Sequence, residues 1–153
     1  MKLSELLVPD LIILPMEASD KWEAISTLAV RPFEKGIYSE DMASEVEAAL
    51  VRRERSMTTG MEQGIAVPHA AVAGLSELIV VLGISRRGIP FDAFDGEPTR
   101  IIAGMAIPRA QKLRNIKTLA EVAKLLSQES VRERILASET AEEVLVAIGG
   151  GGG

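Results

Sequence analysis

The sequence predicts an α/β protein in which a central sheet is covered by helices on both sides. Two observations predict it. Short apolar runs recur at 11–14 (LIIL), 65–67 (IAV), 78–84 (LIVVLGI) and 101–107 (IIAGMAI). They are too short for helices and apolar throughout rather than alternating, the pattern of strands buried on both faces. Between and after them lie stretches whose apolar residues recur at helical spacing, and strands mixed with helices fold as layers around one sheet. No internal repeat and no linker long enough to divide the chain is visible, so one domain is expected over 1–148, followed by a flexible glycine tail at 149–153.

Taken in order, residues 11–14 read as a strand stopped by Pro15. Ser19 reads as an N-cap, with Asp20 and Glu23 in the first turn of a helix. That helix has a stripe of Trp22, Ile25, Leu28 and Ala29, and Pro32 is expected to close it. Trp22 reads as core or rim packing. Ser39 caps a second helix whose inner face is Met42, Val46, Ala49 and Leu50; the spacing brings Arg53 near that face at the helix end, with Arg52 and Arg55 pointing elsewhere. Residues 56–64 (SMTTGMEQG) form a loop, and His69 follows the 65–67 strand just beyond Pro68. The run 78–84 is the best central-strand candidate. The stretch GIPFDAFDGEPT reads as turns, and 101–107 as a buried strand ended by Pro108. From Lys112 a helix is predicted with Leu113, Ile116, Leu119, Ala120, Ala123 and Leu126 inward. A shorter helix follows near 130–137, and Thr140 with Glu143 forms a capping box for a last one through Ile148.

Composition removes several function classes. Of 153 residues, 47% are hydrophobic and 25% charged, the balance of a soluble globular protein. Aromatic content of 3% leaves no stacking platform for single strands, and a net charge of −5 argues against nucleic acid as a main partner. There is no cysteine, which excludes disulfides and thiolate chemistry, and one histidine excludes a multi-histidine metal site within one chain. No run approaches the roughly 20 apolar residues of a membrane span, and the N-terminus does not read as a signal peptide. The expectation is a cytoplasmic protein that meets other proteins, without a cofactor.

The chemistry centres on that single histidine. His69 lies in a junction rich in glycine and flanked by proline, where function often resides. A lone histidine can be a base, a ligand, a nucleophile or simple packing, here with both nitrogens satisfied beneath the loop. Neighbouring Thr58, Thr59 and Gly60 offer hydroxyl and amide donors for a phosphoryl group, while Gly60 and Gly64 permit turns and close backbone approach. Neutral imidazole with one free nitrogen and the other held by a hydrogen bond suffices for a transient phosphate carrier. Candidate supports are Arg53, Thr59, the amides of 58–64 and the side-chain amide of Asn115. Arg53 has an alternative reading, reaching to water or pairing with Glu54 while favouring the helix dipole. Asp92 and Asp95 either orient the imidazole or face solvent. No serine nucleophile motif and no GxxxxGK loop is present, so the phosphate is expected from another protein rather than from ATP.

On these residues the chain resembles the enzyme IIA proteins of the bacterial phosphoenolpyruvate phosphotransferase system, of the fructose/mannitol type, and among them the nitrogen-regulatory branch. RERSMTTGMEQGIAVPHA (53–70) carries the resemblance most strongly, with PFDAFDGEPT (90–99) and NIKTLAEVAKLL (115–126). The resemblance implies a mixed sheet flanked by helices. It also implies phosphorylation of His69, usually on Nε2, by a phosphorylated carrier protein, HPr or a relative. The phosphate then passes to an enzyme IIB domain, or the phosphorylation state controls regulatory partners such as transporters and sensor kinases. Arg53 matches the family's arginine of the RE pair and Thr59 its active-site threonine. Such a protein is a phosphotransfer protein rather than a turnover enzyme. Many relatives carry a second histidine where this chain has Asn115, and a basic residue is frequent where it has Ala71. An amide donates to a phosphoryl oxygen but neither gains charge nor relays a proton. The alternative is therefore a binding module that keeps the fold and regulates a partner without relaying phosphate.

Overall fold

The computed structural model describes residues 3–151. A short helix α1 (Leu3–Leu6) and a 3-10 turn lead into strand β1 (Ile12–Ile13), shorter than the apolar run because Leu11 completes that turn. Helices α2 (Lys21–Glu34) and α3 (Glu40–Ser56) follow. Then come strands β2 (Ile65–Ala66), β3 (His69–Val72), β4 (Ile79–Ile89) and β5 (Thr99–Pro108), and helices α4 (Lys112–Leu126), α5 (Glu129–Ala137) and α6 (Ala141–Gly151).

The sheet has five strands, in the order β1-β4-β5-β2, with β3 pairing β5 along the same edge as β2. Only β4–β5 is antiparallel; β1 on β4, β2 on β5 and β3 on β5 are parallel, so the sheet is mixed. The split between β2 and β3 falls at Val67-Pro68. Proline has no N–H for a ladder and is tolerated at an edge, where its carbonyl still accepts from the Met105 amide at 2.9 Å.

Side chains alternate across the sheet. Ala70, Val72 and Ala106 face α2 and α3, packing with Ile25, Ala29, Val46, Ala49 and Leu50. Met105 and Ile107 belong instead to the larger core that includes Val122 and Leu126 of α4, Val131 and Ile135 of α5, and Val144 and Ile148 of α6. Burial of aliphatic side chains at roughly 25 cal/mol per Å² of apolar surface holds these layers together, and Phe91 is the single fully buried aromatic ring among the largest core side chains.

Several expectations shift. The N-cap of α2 is Asp20, which accepts from the Glu23 amide at 2.9 Å; Ser19 instead gives its amide and hydroxyl to the Glu23 carboxylate. Pro32 lies inside α2, near its end, and does not close the helix, which runs on to Glu34 with the Leu28 carbonyl deprived of its usual i+4 donor. Trp22 sits at the rim, 39% exposed. β4 continues past Ile84 to Ile89 across an irregularity in the pairing, so the turns begin only at Pro90. Half of the capping box at Thr140 forms, with the Glu143 amide on the Thr140 hydroxyl at 3.1 Å, while the Glu143 carboxylate accepts from the amide of Glu139, one residue before the cap. α6 runs into the glycines as far as Gly151, so the tail expected from 149 begins as helix; residues 152–153 lie outside the described residues.

The largest revision concerns α4. Leu113 is 85% exposed and Ile116 49%, while the buried line is Asn115, Thr118, Val122 and Leu126. The helix is rotated from the orientation its apolar count predicts. Its first turn borders a cavity of about 660 Å³ that also touches Leu6, Leu11 and Ile79, and there amide and hydroxyl face inward instead of leucine.

Candidate functional site

The site is built where α3 ends and the chain crosses to the sheet edge. Ser39 caps α3 by accepting from the Met42 amide at 3.1 Å, and the helix runs unbroken until Arg53 and Glu54 occupy its last turn. Arg53 is half-buried and donates from Nη1 to the Met57 carbonyl at 2.8 Å, covering a free helix-end acceptor. It is not paired with Glu54. Instead Glu54, 3% exposed, accepts from the Thr59 hydroxyl at 2.5 Å and the Thr59 amide at 2.8 Å. The Lys21 ammonium lies 3.4 Å from the same carboxylate and 2.9 Å from Asp92.

The loop between α3 and β2 is tied down by its own groups. Thr58 gives its hydroxyl to the Phe91 carbonyl and receives the Gly60 amide at 3.0 Å. A Cβ on Gly60 would stand 2.9 Å from the Phe91 carbonyl oxygen, so glycine is required by close backbone approach. The Met61 amide goes to Ile65 and the Gln63 amide to Asp95. Gln63 and Gly64 both have positive φ, 70° and 76°, which turns the chain into β2. The amides of Thr59, Gly60, Met61 and Gln63 are thus already engaged, and the loop is a buttress rather than the open anion cradle its composition suggests.

His69 opens β3, paired in register with Met105, and is half-buried. Its Nδ1 lies 2.7 Å from the Val67 carbonyl, which accepts only if Nδ1 carries the proton. Nε2 has no hydrogen-bond partner among the described residues, and it is not among the polar atoms sealed from solvent. Simple packing with both nitrogens satisfied is therefore excluded. Burial lowers the imidazole pKa below its ordinary 6.5, the Val67 bond opposes this, and the Arg53 guanidinium and Glu54 carboxylate act in opposite senses. Burial thus favours the neutral ring, and the Val67 bond leaves Nε2 as the nitrogen with the free lone pair.

Neither aspartate orients it. Asp92 is occupied with Lys21 and is otherwise exposed; Asp95 accepts from the amides of Gln63 and Glu97 at 3.0 Å each, which lower its pKa. The Val67 carbonyl supplies the orientation instead. Further donors come from the sheet edge. With Met105 donating to Pro68, the parallel ladder uses the amides of Ala70 and Val72 and directs those of His69 and Ala71 away from β5.

Asn115, on the first turn of α4, lies on the same side of the sheet as His69, which shares the face of Met105. It is 6% exposed, and Nδ2 donates to the Gln111 carbonyl at 3.1 Å; among the described residues no hydrogen bond links it to His69, Arg53 or Thr59. The structure therefore groups Arg53, Thr58, Thr59, Gly60 and His69 through one connected segment and leaves Asn115 as a separate wall. The residues missed by sequence reasoning are Glu54, as a buried acceptor, and Lys21. Spacing held a signal for the first, since Glu54 follows Val46 and Leu50 in steps of four on the inner stripe of α3. No cluster of His, Asp and Glu among the described residues is arranged to hold a metal ion, and no helix among them is long and apolar enough to cross a membrane.

Comparison with known proteins identifies the family and the fold. The family model "Phosphoenolpyruvate-dependent sugar phosphotransferase system, EIIA 2" matches residues 5–149. The nitrogen regulatory protein of Bradyrhizobium diazoefficiens is 26% identical over 144 residues, covering 94% of this chain and 92% of that protein. The fructose-specific EIIABC component of Bacillus subtilis is 26% identical over 145 residues; the match takes in 95% of this chain but spans only 22% of that protein. Among solved structures, IIA-Ntr from Neisseria meningitidis superposes with a TM-score of 0.85 at 28% identity, covering 95% of this chain and 98% of that one. Enzyme IIAMtl of Escherichia coli, in complex with phosphorylated enzyme IIBMtl, gives 0.75 at 26% identity, covering 94% and 97%.

Proposed function

Since the chain belongs to the EIIA type-2 family of the phosphoenolpyruvate-dependent sugar phosphotransferase system, we propose that it is a cytoplasmic phosphohistidine carrier that takes a phosphoryl group on Nε2 of His69. The observation that carries the reading is the geometry of that ring: Nδ1 lies 2.7 Å from the Val67 carbonyl, and Nε2 has no hydrogen-bond partner among the described residues.

The donor is a phosphorylated histidine of an HPr-like protein. Its N–P bond breaks as the Nε2 lone pair of His69 forms the new one, and no proton has to leave Nε2 first. The product ring carries positive charge, which the retained Nδ1–H bond to Val67 stabilises. Arg53 has guanidinium N–H groups beyond the one given to Met57, and with the outward amides of His69 and Ala71 it supports the phosphoryl oxygens. Onward transfer goes to a IIB domain, as the IIAMtl–IIBMtl neighbour suggests, or the phosphorylated state serves regulation, as the name of the nitrogen-regulatory relatives suggests, with a transporter or sensor kinase the kind of target the family resemblance implies. Exposed Leu113 and Ile116 on α4 give such partners an apolar landing beside the site.

Incubation with phosphoenolpyruvate, its phosphotransferase enzyme and HPr-like donors tests the reading. One acid-labile phosphate is expected on the wild type and none on His69→Gln; a wild type left unlabelled by several competent donors would overturn it. One residue favours a second reading, a binding module without relay: the resemblance implies a second histidine where this chain has Asn115, whose amide cannot gain charge or relay a proton. Under that reading the protein binds its regulatory target with the same affinity before and after attempted phosphorylation.

A further inference from the structure

We propose that Glu54 is a positioning residue for phosphoryl acceptance, holding the His69 ring through Thr59 and Val67; the proposal rests on the carrier reading above. The path is continuous. The Glu54 carboxylate takes the Thr59 hydroxyl at 2.5 Å on one oxygen and the Thr59 amide at 2.8 Å on the other. Thr59, fixed at both groups, accepts the Val67 amide on its carbonyl at 3.2 Å. Val67, fixed in turn, aims its own carbonyl at Nδ1 of His69 at 2.7 Å. Glu54, Thr59 and Val67 are 3%, 7% and 4% exposed, so water does not compete for these links.

The chemistry of the surroundings calls for an acid at this position. Everything directed at Glu54 is a donor: an amide, a hydroxyl and, at 3.4 Å, the Lys21 ammonium. A carboxylate accepts all three and balances the ammonium; a glutamine keeps an acceptor for the amide only by making the Thr59 hydroxyl turn to accept, and it leaves Lys21 without a counter-charge. Lys21 is itself out of place by local rules. It is the first residue of α2, where a cation opposes the helix dipole, and it is 8% exposed. Its partners explain it, because Glu54 and Asp92 hold it from two sides and tie the loop after β4 to the same acid. What reaches His69 is a tautomer. With the Val67 carbonyl in place the proton stays on Nδ1 and the lone pair on Nε2; once that carbonyl drifts, the proton can settle on Nε2 and remove the nucleophile.

The test uses Glu54→Gln and reads two quantities, the His69 tautomer from ring-nitrogen NMR and the rate of phosphate uptake from a fixed donor. The wild type is expected to show the Nδ1–H form. Glu54→Gln, folded by its amide spectrum, is expected to show mixed tautomers and uptake at least tenfold slower. A folded Glu54→Gln with the wild-type tautomer, or with a shifted tautomer and an unchanged rate, overturns the proposal. Should Glu54→Gln fail to fold, Thr59→Val and Thr59→Ser decide by the same readouts: loss of the tautomer in the first and recovery in the second support the path, and equal behaviour refutes it. A wild type that takes no phosphate defeats the carrier reading and the functional half of this proposal, while the tautomer shift still reports whether Glu54 governs the ring.

Discussion

As the proposed phosphoryl acceptor, His69 joins two requirements that usually conflict, since a nucleophile must be open to a partner yet held in one protonation state. Half-burial meets both. Loss of hydration is the main cause of its lowered pKa, and the Val67 bond, which opposes that shift, fixes which nitrogen keeps the proton. The same shift is a stability statement. Below the ordinary value of 6.5 the unfolded chain binds a proton at this residue that the folded chain still refuses, so stability rises with pH between the folded pKa and 6.5, and is lost as pH falls through that window. Compared with His69→Gln, which cannot titrate, the wild type should lose stability between pH 7.5 and pH 5. Urea midpoints of both proteins at the two pH values measure this, and carboxylates common to both cancel; a difference that stays constant or moves the other way would contradict a depressed pKa. The histidine was legible in the sequence because it is the only one and follows Pro68 in a glycine-rich junction. Its buried support was not, because among Arg52, Arg53, Glu54 and Arg55 the spacing drew attention to Arg53 as the inward residue, and the partner Lys21 belongs to another helix.

α4 shows how an element can be recognised and still be set at the wrong angle. Its period, length and position follow from the sequence, yet the count of apolar residues turns Leu113 and Ile116 inward while the fold turns them out. Val122 and Leu126, in the second half of the helix, join the core shared with β5 and α5. The first half borders a cavity into which Asn115 and Thr118 project. Substitutions separate the two halves. Leu126→Ala, at a position with no exposure, should cost about 2–5 kcal/mol, whereas Leu113→Glu and Ile116→Glu should change stability by less than about 0.5 kcal/mol. If the outer pair is the landing for a protein donor, the double variant should also take phosphate more slowly at low donor concentration and recover when donor is raised. Denaturant midpoints and a donor titration check both halves, and a strongly destabilised Leu113→Glu would restore the orientation predicted from the apolar count.

Across the whole molecule, the sheet places its chemistry at an edge and its stability in the middle. The central strands were legible as unbroken apolar runs because both of their faces are covered. β3 was not, since His-Ala-Ala-Val has little pattern of its own and becomes a strand only by pairing with β5, far along the chain. That difference has a measurable consequence. β4 and β5 pair with each other along a buried ladder, so the amides that join them should exchange hydrogen only when the whole domain opens. On β3 the protection should alternate. Ala70 and Val72 donate into the ladder and exchange slowly, while His69 and Ala71 point off the edge and exchange by local motion. Phosphorylation supplies the outward pair with acceptors, so the His69 and Ala71 amides should slow by at least tenfold in the phosphorylated protein, with β4 unchanged. Residue-resolved exchange on the two forms measures this. Equal protection along β3 before phosphorylation would show that the edge is closed, and unchanged rates afterwards would leave Arg53 as the principal support of the phosphoryl group.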